Sequence, residues 1–238
     1  MRFVLDGWAM VRRWLLIVLT TLTLPATFAE EVQSHGLMFE KWLRDTFFGG
    51  YVPKGYTQKW DIPAEANPDH GGIPVNPKAA KFGTPVDFGD ALRQYEIVEK
   101  KERFLLIVGF WKQVSKEQKR WVNVQAVTVE PALWARLWGP VKRADLERLV
   151  AVIKDPELSI AEARTRVKAL KSKPPFIDAI LQVNPKIDAS QRRLQCSLRS
   201  EDFFKYLAPD ARAGEDPEPR AFGIPIPQDF ASRARQTK

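Results

Sequence analysis

The chain has 238 residues, with 37 Lys and Arg against 29 Asp and Glu, 45% hydrophobic residues, eighteen Pro, eight Trp and one Cys. That length and apolar share support one ordinary core and exclude collagen-like, coiled-coil and wholly disordered chains. A single Cys excludes an intramolecular disulfide framework and any Cys-rich zinc module, while a formal charge of +8 hints at an anionic partner without naming it.

Arg12 and Arg13 precede a run from Trp14 to Leu24 that is apolar apart from three Thr, followed by Pro25, Ala29 and Glu30-Glu31. A basic start, a short apolar stretch and a small residue before acidic sequence read as a signal peptide over residues 1–29. The run is shorter than the roughly 20 residues that span a bilayer, so no stable membrane insertion is expected once it is cleaved. Periplasmic or secreted localisation follows; if the segment is start-site artefact, with Met10 a tidier start, the location is cytoplasmic. Cleavage removes Arg2, Arg12, Arg13 and Asp6, so most of the basic excess stays with the mature chain.

Residues 31–48 are predicted helical, because Phe39, Trp42, Leu43 and Phe47 fall on one stripe and Gly49-Gly50 follows as a stop. Residues 56–62 alternate as a strand, with Thr57, Lys59 and Asp61 on the polar face. A Pro-, Asn- and Gly-rich loop leads to a second short strand at 73–78, where Asn76 and Lys78 share a face. A short helix is expected near 89–95. The block Phe104-Leu-Leu-Ile-Val-Gly-Phe-Trp111 reads as a central strand buried on both faces, paired across a polar turn with a strand at 121–129. Two helices come next, one carrying Leu146, Leu149, Val150 and Ile153, the other opened by a Ser159/Glu162 capping box and stopped by Pro174-Pro175. Strands at 177–183 and 192–198 and a short helix at 201–207 complete a single domain over residues 30–207. Residues 208–238, rich in Pro and charge, are expected to be a disordered tail. The fold class is α/β, a central mixed sheet flanked by helices.

Glu40, Asp61, Asn76 and Lys78 are the candidate catalytic residues. Hairpin-like pairing of the first two strands brings Asp61, Asn76 and Lys78 within side-chain reach, and Glu40 lies beside the apolar stripe of the helix packed on them. Phosphodiester hydrolysis needs a divalent metal to polarise the phosphate and activate water, and a cation near the developing charge. Two carboxylates and a lysine supply those parts, and hard oxygen donors suit Mg²⁺ or Mn²⁺. The stretches Phe39-Glu40-Lys-Trp42, Lys59-Trp60-Asp61-Ile62-Pro63 and Pro74-Val-Asn76-Pro-Lys78 resemble the PD-(D/E)XK nuclease, or restriction-endonuclease-like, superfamily. The resemblance spans residues 31–128 in element order. It implies an αβββαβ-type core, metal-dependent hydrolysis of DNA, metal ligation by Asp61 assisted by Glu40, and a water-orienting Lys78. Asn76 stands where the family carries an acidic residue, and Pro77 removes a ladder donor from that strand.

Asp61 as a turn cap and Lys78 as a surface cation is the competing reading of the same residues. Asp87 with Glu99-Lys100-Lys101 spells a rival motif. Lys59 and the row Arg192, Arg193, Gln195 and Arg199 are candidate nucleic-acid contacts, through bonds to phosphates; a half-buried strand with a solvated face is the bland alternative. Cys196 falls on the inward side of that strand, as a small core residue. His35 and His70 form no metal-ligand spacing, and no nucleotide-cofactor loop is present, so no organic cofactor is expected. Two rivals to a nuclease remain: a non-catalytic exported binding protein, and an inactive nuclease-like domain that keeps DNA affinity.

Overall fold

The computed structural model describes residues 27–53, 59–227 and 229–231, with side chains from residue 35 onward. The expected signal peptide lies, apart from residues 27–29, outside the described residues, as do Tyr56, Thr57 and Gln58. Among the described residues no helix is long and apolar enough to cross a membrane.

The protein is α/β, with a mixed sheet flanked by helices. Helix α1 (Thr27–Phe47) leads through a loop to strands β1 (Val75–Lys81) and β2 (Val86–Asp90), helix α2 (Ala91–Glu99), and strands β3 (Phe104–Gln113) and β4 (Gln118–Val129). Helices α3 (Pro131–Trp138), α4 (Arg143–Lys154) and α5 (Ile160–Lys171) follow, then strands β5 (Gln182–Ile187) and β6 (Arg192–Leu198). A short α6 (Ser200–Asp202) runs into a wide turn at Phe203–Leu207, and the chain ends in strands β7 (Arg220–Ala221), β8 (Ile224–Pro225) and β9 (Asp229–Ala231).

One sheet has the order β1-β3-β4-β9, with β1 parallel to β3 and the other pairs antiparallel. A second sheet has the order β2-β6-β5, and its edge strand β2 packs beside β1. Strand β3 explains why two cores exist. Phe104, Leu106, Val108 and Phe110 point into the larger core with α3, α4, α5 and the second sheet, whereas Leu105 and Ile107 face Phe39 and Leu43 of α1. Its nearly continuous apolar run is the mark of a strand covered on both sides. Gly109 sets how closely α1 seats: a Cβ there would fall 2.7 Å from the Phe39 ring and 2.9 Å from Trp121.

Local chemistry accounts for the element ends. Asp90 Oδ1 accepts the Arg93 amide at 2.9 Å and starts α2, and Ser159 and Glu162 close the expected capping box of α5. Gly89, at φ +85°, sits at a bulge where β2 shifts register against β6. Helix α3 was not anticipated from sequence, although Trp134, Leu137 and Trp138 are its wholly buried face.

Three expectations are corrected. Residues 59–61 form a bend, not the end of a strand, and only Ile62 pairs, through an isolated antiparallel bridge to Val75. The strand expected at 177–183 begins at Gln182, because the Ile180 and Leu181 amides both donate to the Leu137 carbonyl at the end of α3. The described part of the tail packs on the domain: Ala221, Ile226 and Phe230 are buried in the α1-side core, and β9 pairs with β4. Phe230 stacks on Trp121 at 4.7 Å, and Arg120 grips Asp229 through two bonds of 2.6 and 2.9 Å. Prolines do not prevent this packing, since they fit extended segments and edge strands.

Candidate functional site

Asp61 owes its position to the residues around it. Trp60 packs on Phe104 with ring centroids 5.2 Å apart, and Ile62, wholly buried, exchanges both backbone bonds with Val75 at 3.3 and 2.8 Å. The loop back to β1 is stitched by buried Asn67, whose amide donates to the carbonyls of His70 at 3.2 Å and Ile73 at 2.8 Å. Both flanks of Asp61 are therefore fixed, and the carboxylate projects from a pinned bend.

Lys78 comes from the middle of β1, on the same face as Asn76, opposite Val108 of β3. Its Nζ lies 3.3 Å from Asp61 Oδ2 and 2.8 Å from the Pro77 carbonyl oxygen. The side chains stay partly accessible, Lys78 at 19% and Asp61 at 39%. Glu40, on α1, makes a 3.6 Å ion pair with Arg44 one turn along. Burial and then the charge of Asp61 push the Glu40 pKa up, while Lys78 and Arg44 pull it down. Glu40, Asp61 and Lys78 thus share one electrostatic neighbourhood beside β1, assembled from α1, a pinned bend and a strand.

Asn76 is buried at 4% exposure, one pleat from Lys78. Among the described residues there is no group of three His, Cys, Asp or Glu that could hold a metal. Two carboxylates remain a fitting donor set for Mg²⁺, which keeps waters and substrate phosphate oxygens in its other positions. The raised Glu40 pKa agrees with that fit: burial first, and then the charge of Asp61, disfavour the ionised carboxylate, although Lys78 and Arg44 act against them.

The remaining candidates fare differently. Lys59 forms an ion pair with Glu102 and lies 5.5 Å from the Trp60 ring. Arg192 donates to the carbonyls of Ile153, Asp155 and Leu158 at 3.5, 2.6 and 2.9 Å, capping the end of α4. Gln195 and Ser197 are buried, and Ser197 Oγ accepts from the Asn184 amide at 2.7 Å. Arg199 pairs with Asp202 at 2.6 Å. Arg193 is exposed. Of that row, only Arg193 is exposed with no hydrogen bond or ion pair among the described residues.

The rival motif is not assembled. Asp87 accepts the Gly89 amide in β2, whereas Glu99 pairs with Arg143 and Lys100 with Glu96 at the far end of α2, a helix about 13 Å long. His70 stacks on Phe222 at 3.9 Å and touches the edges of Phe47 and Phe48. His35 sits against Trp111 with Lys119 at 3.3 Å, and burial followed by the Lys119 charge lowers its pKa to about 4. Cys196 is a fully buried core thiol whose pKa burial raises. Sequence reasoning missed the stitching role of Asn67; its signal was the turn sequence Asn67-Pro-Asp-His-Gly-Gly72, read only as loop.

No family model, curated protein or solved structure matches the chain.

Proposed function

We propose that the protein is a divalent-metal-dependent nuclease acting on DNA, with a restriction-endonuclease-like site built from Glu40, Asp61 and Lys78. The observation that carries this reading is the 3.3 Å approach of Lys78 Nζ to Asp61 Oδ2, with Glu40 in the same field. A structural ion pair needs no second carboxylate beside it, since extra negative charge raises its cost. A metal-phosphate site does need it.

Bound Mg²⁺ or Mn²⁺ would polarise the phosphate and lower the pKa of an attacking water. Asp61 and Glu40 would hold the ion through carboxylate oxygens. Lys78, anchored by the Pro77 carbonyl, would orient that water and meet the charge that develops on phosphate oxygen. Asp61 and Lys78 stay partly accessible, which leaves the site in reach of a polymer substrate.

A second reading, an inactive nuclease-like domain with DNA affinity, is favoured by Asn76, a neutral side chain where the superfamily has an acid. Incubating the purified protein with supercoiled plasmid separates the two. The expected outcome is nicking with Mg²⁺ or Mn²⁺, none with EDTA, and none from Asp61→Ala or Lys78→Ala. DNA binding without cleavage under any metal selects the inactive domain.

A further inference from the structure

At the edge of the second sheet, α5 and β5 enclose an open groove of about 400 Å³ lined by Arg164, Lys168, Lys171, Lys186 and Asp188. We propose that this groove docks the sugar-phosphate backbone of DNA. The identity of the polyanion rests on the nuclease reading; the groove itself stands on its own charge pattern.

Four cations converge against one carboxylate, and that carboxylate is already engaged. Asp188 accepts from Ser190 and Gln191, including both of their amides, and these bonds bring its pKa to about 2. Among the described residues none of the four cations forms an ion pair. Arg164 spends Nε on the Ile187 carbonyl at 2.8 Å, and Lys171 donates to the Val183 carbonyl at 2.8 Å. Those two bonds hold the side chains along the strand edge. Burial lowers the Lys171 pKa, with no counter-charge to reverse it.

Register supplies a second, independent observation. Lys186 stands directly across from Arg193 in the β5–β6 ladder. Like charges at such a position repel, and a bound anion turns that repulsion into shared attraction. Spacing then selects the partner. Arg164, Lys168 and Lys171 lie at i, i+4 and i+7 of α5, a row about 10 Å long at 1.5 Å per residue. Successive phosphates of one DNA strand lie farther apart than their 3.4 Å rise along the axis because the strand winds, so the row meets about two of them. The polar row of β6, which looked like the phosphate-binding face in sequence, thereby cedes that role to the edge strand β5 of the same sheet.

The test is fluorescence anisotropy of a labelled DNA duplex, with EDTA present, between about 50 and 200 mM salt. The variant is Lys168→Gln/Lys186→Gln, because neither side chain makes a hydrogen bond or ion pair among the described residues, and thermal melting checks that it folds as wild type. Losing two phosphate contacts predicts weaker binding and a log-log salt slope shallower by about 1.8. The same reduction in a protein that never nicks plasmid sinks the nuclease reading and leaves this groove standing. An unchanged slope overturns the groove, even if cleavage is seen. Capture of polyglutamate by the groove, with DNA binding unaffected, also overturns it and assigns the surface to acidic protein.

Discussion

Two polar strand faces that look alike in sequence part company in space. On β1, Lys78 reaches Asp61 beside a half-buried Glu40, and the cluster holds two carboxylates whose charges oppose each other. On β6 and its flanks, Arg192 is consumed by three carbonyls at the end of α4, Arg199 by Asp202, and Gln195 by burial. A guanidinium held by three carbonyls, as Arg192 is, belongs to the scaffold. Glu40, Asp61 and Lys78 are paired too, but across three elements and with their side chains partly exposed, so a ligand can still reach them.

Breaking the β1 cluster should have the largest effect. Asp61→Ala is expected to lower plasmid cleavage by more than about 100-fold, since even outer-shell partners of metal ligands cost up to that much. Gln195→Ala and Arg199→Ala should leave cleavage within about twofold under the same conditions, because truncating groups that meet no phosphate removes no transition-state contact. Equal losses from both sets would erase the contrast between the faces.

The β6 side should fail in stability instead. Arg192→Ala is expected to cost about 1.5–3 kcal/mol in chemical denaturation, the range for hydrogen bonds to a charged group whose partners are left unmet. Cleavage measured well below the unfolding transition should be unchanged. A loss of activity at full stability would move Arg192 into the substrate path.

The smallest effect is one of pH. A raised Glu40 pKa means that its carboxylate begins to protonate at a higher pH than an ordinary glutamate as acid is added. Metal affinity, which requires the ionised form, should therefore weaken early on the acidic side. Glu40→Gln should weaken binding at neutral pH and remove that early limb, read by Mn²⁺ titration across pH. His35, whose pKa falls to about 4 from 6.5, acts on stability rather than on the metal. The unfolded chain takes up the proton first, so stability falls as pH drops from about 6.5 towards 4.

Much of the fold was legible because burial writes periodic patterns. The β3 block, the β4 strand, the Ser159/Glu162 box and the β6 limits all followed from alternation, run length or capping chemistry. What escaped depends on distant partners. Helix α3 is too short for its Trp134–Leu137–Trp138 face to stand out, and the described part of the tail packs only because α1 and Trp121 offer its few apolar residues a surface. The bend at 59–61 obeys an isolated bridge to Val75 that no local pattern announces. The approach of Asp61 to Lys78 was legible from hairpin reasoning, although one bridge, not a full strand pair, delivers it. The fate of Arg192 was not, because its partners are carbonyls some 34 to 39 residues away.

The central claim is that Glu40 and Asp61 together form a metal seat beside Lys78. Isothermal titration of Mn²⁺ into the purified protein at neutral pH tests it most directly. The account predicts saturable binding that Asp61→Asn abolishes and Arg192→Ala leaves intact. Wild-type protein that binds no Mn²⁺, or binding that survives Asp61→Asn unchanged, would contradict it.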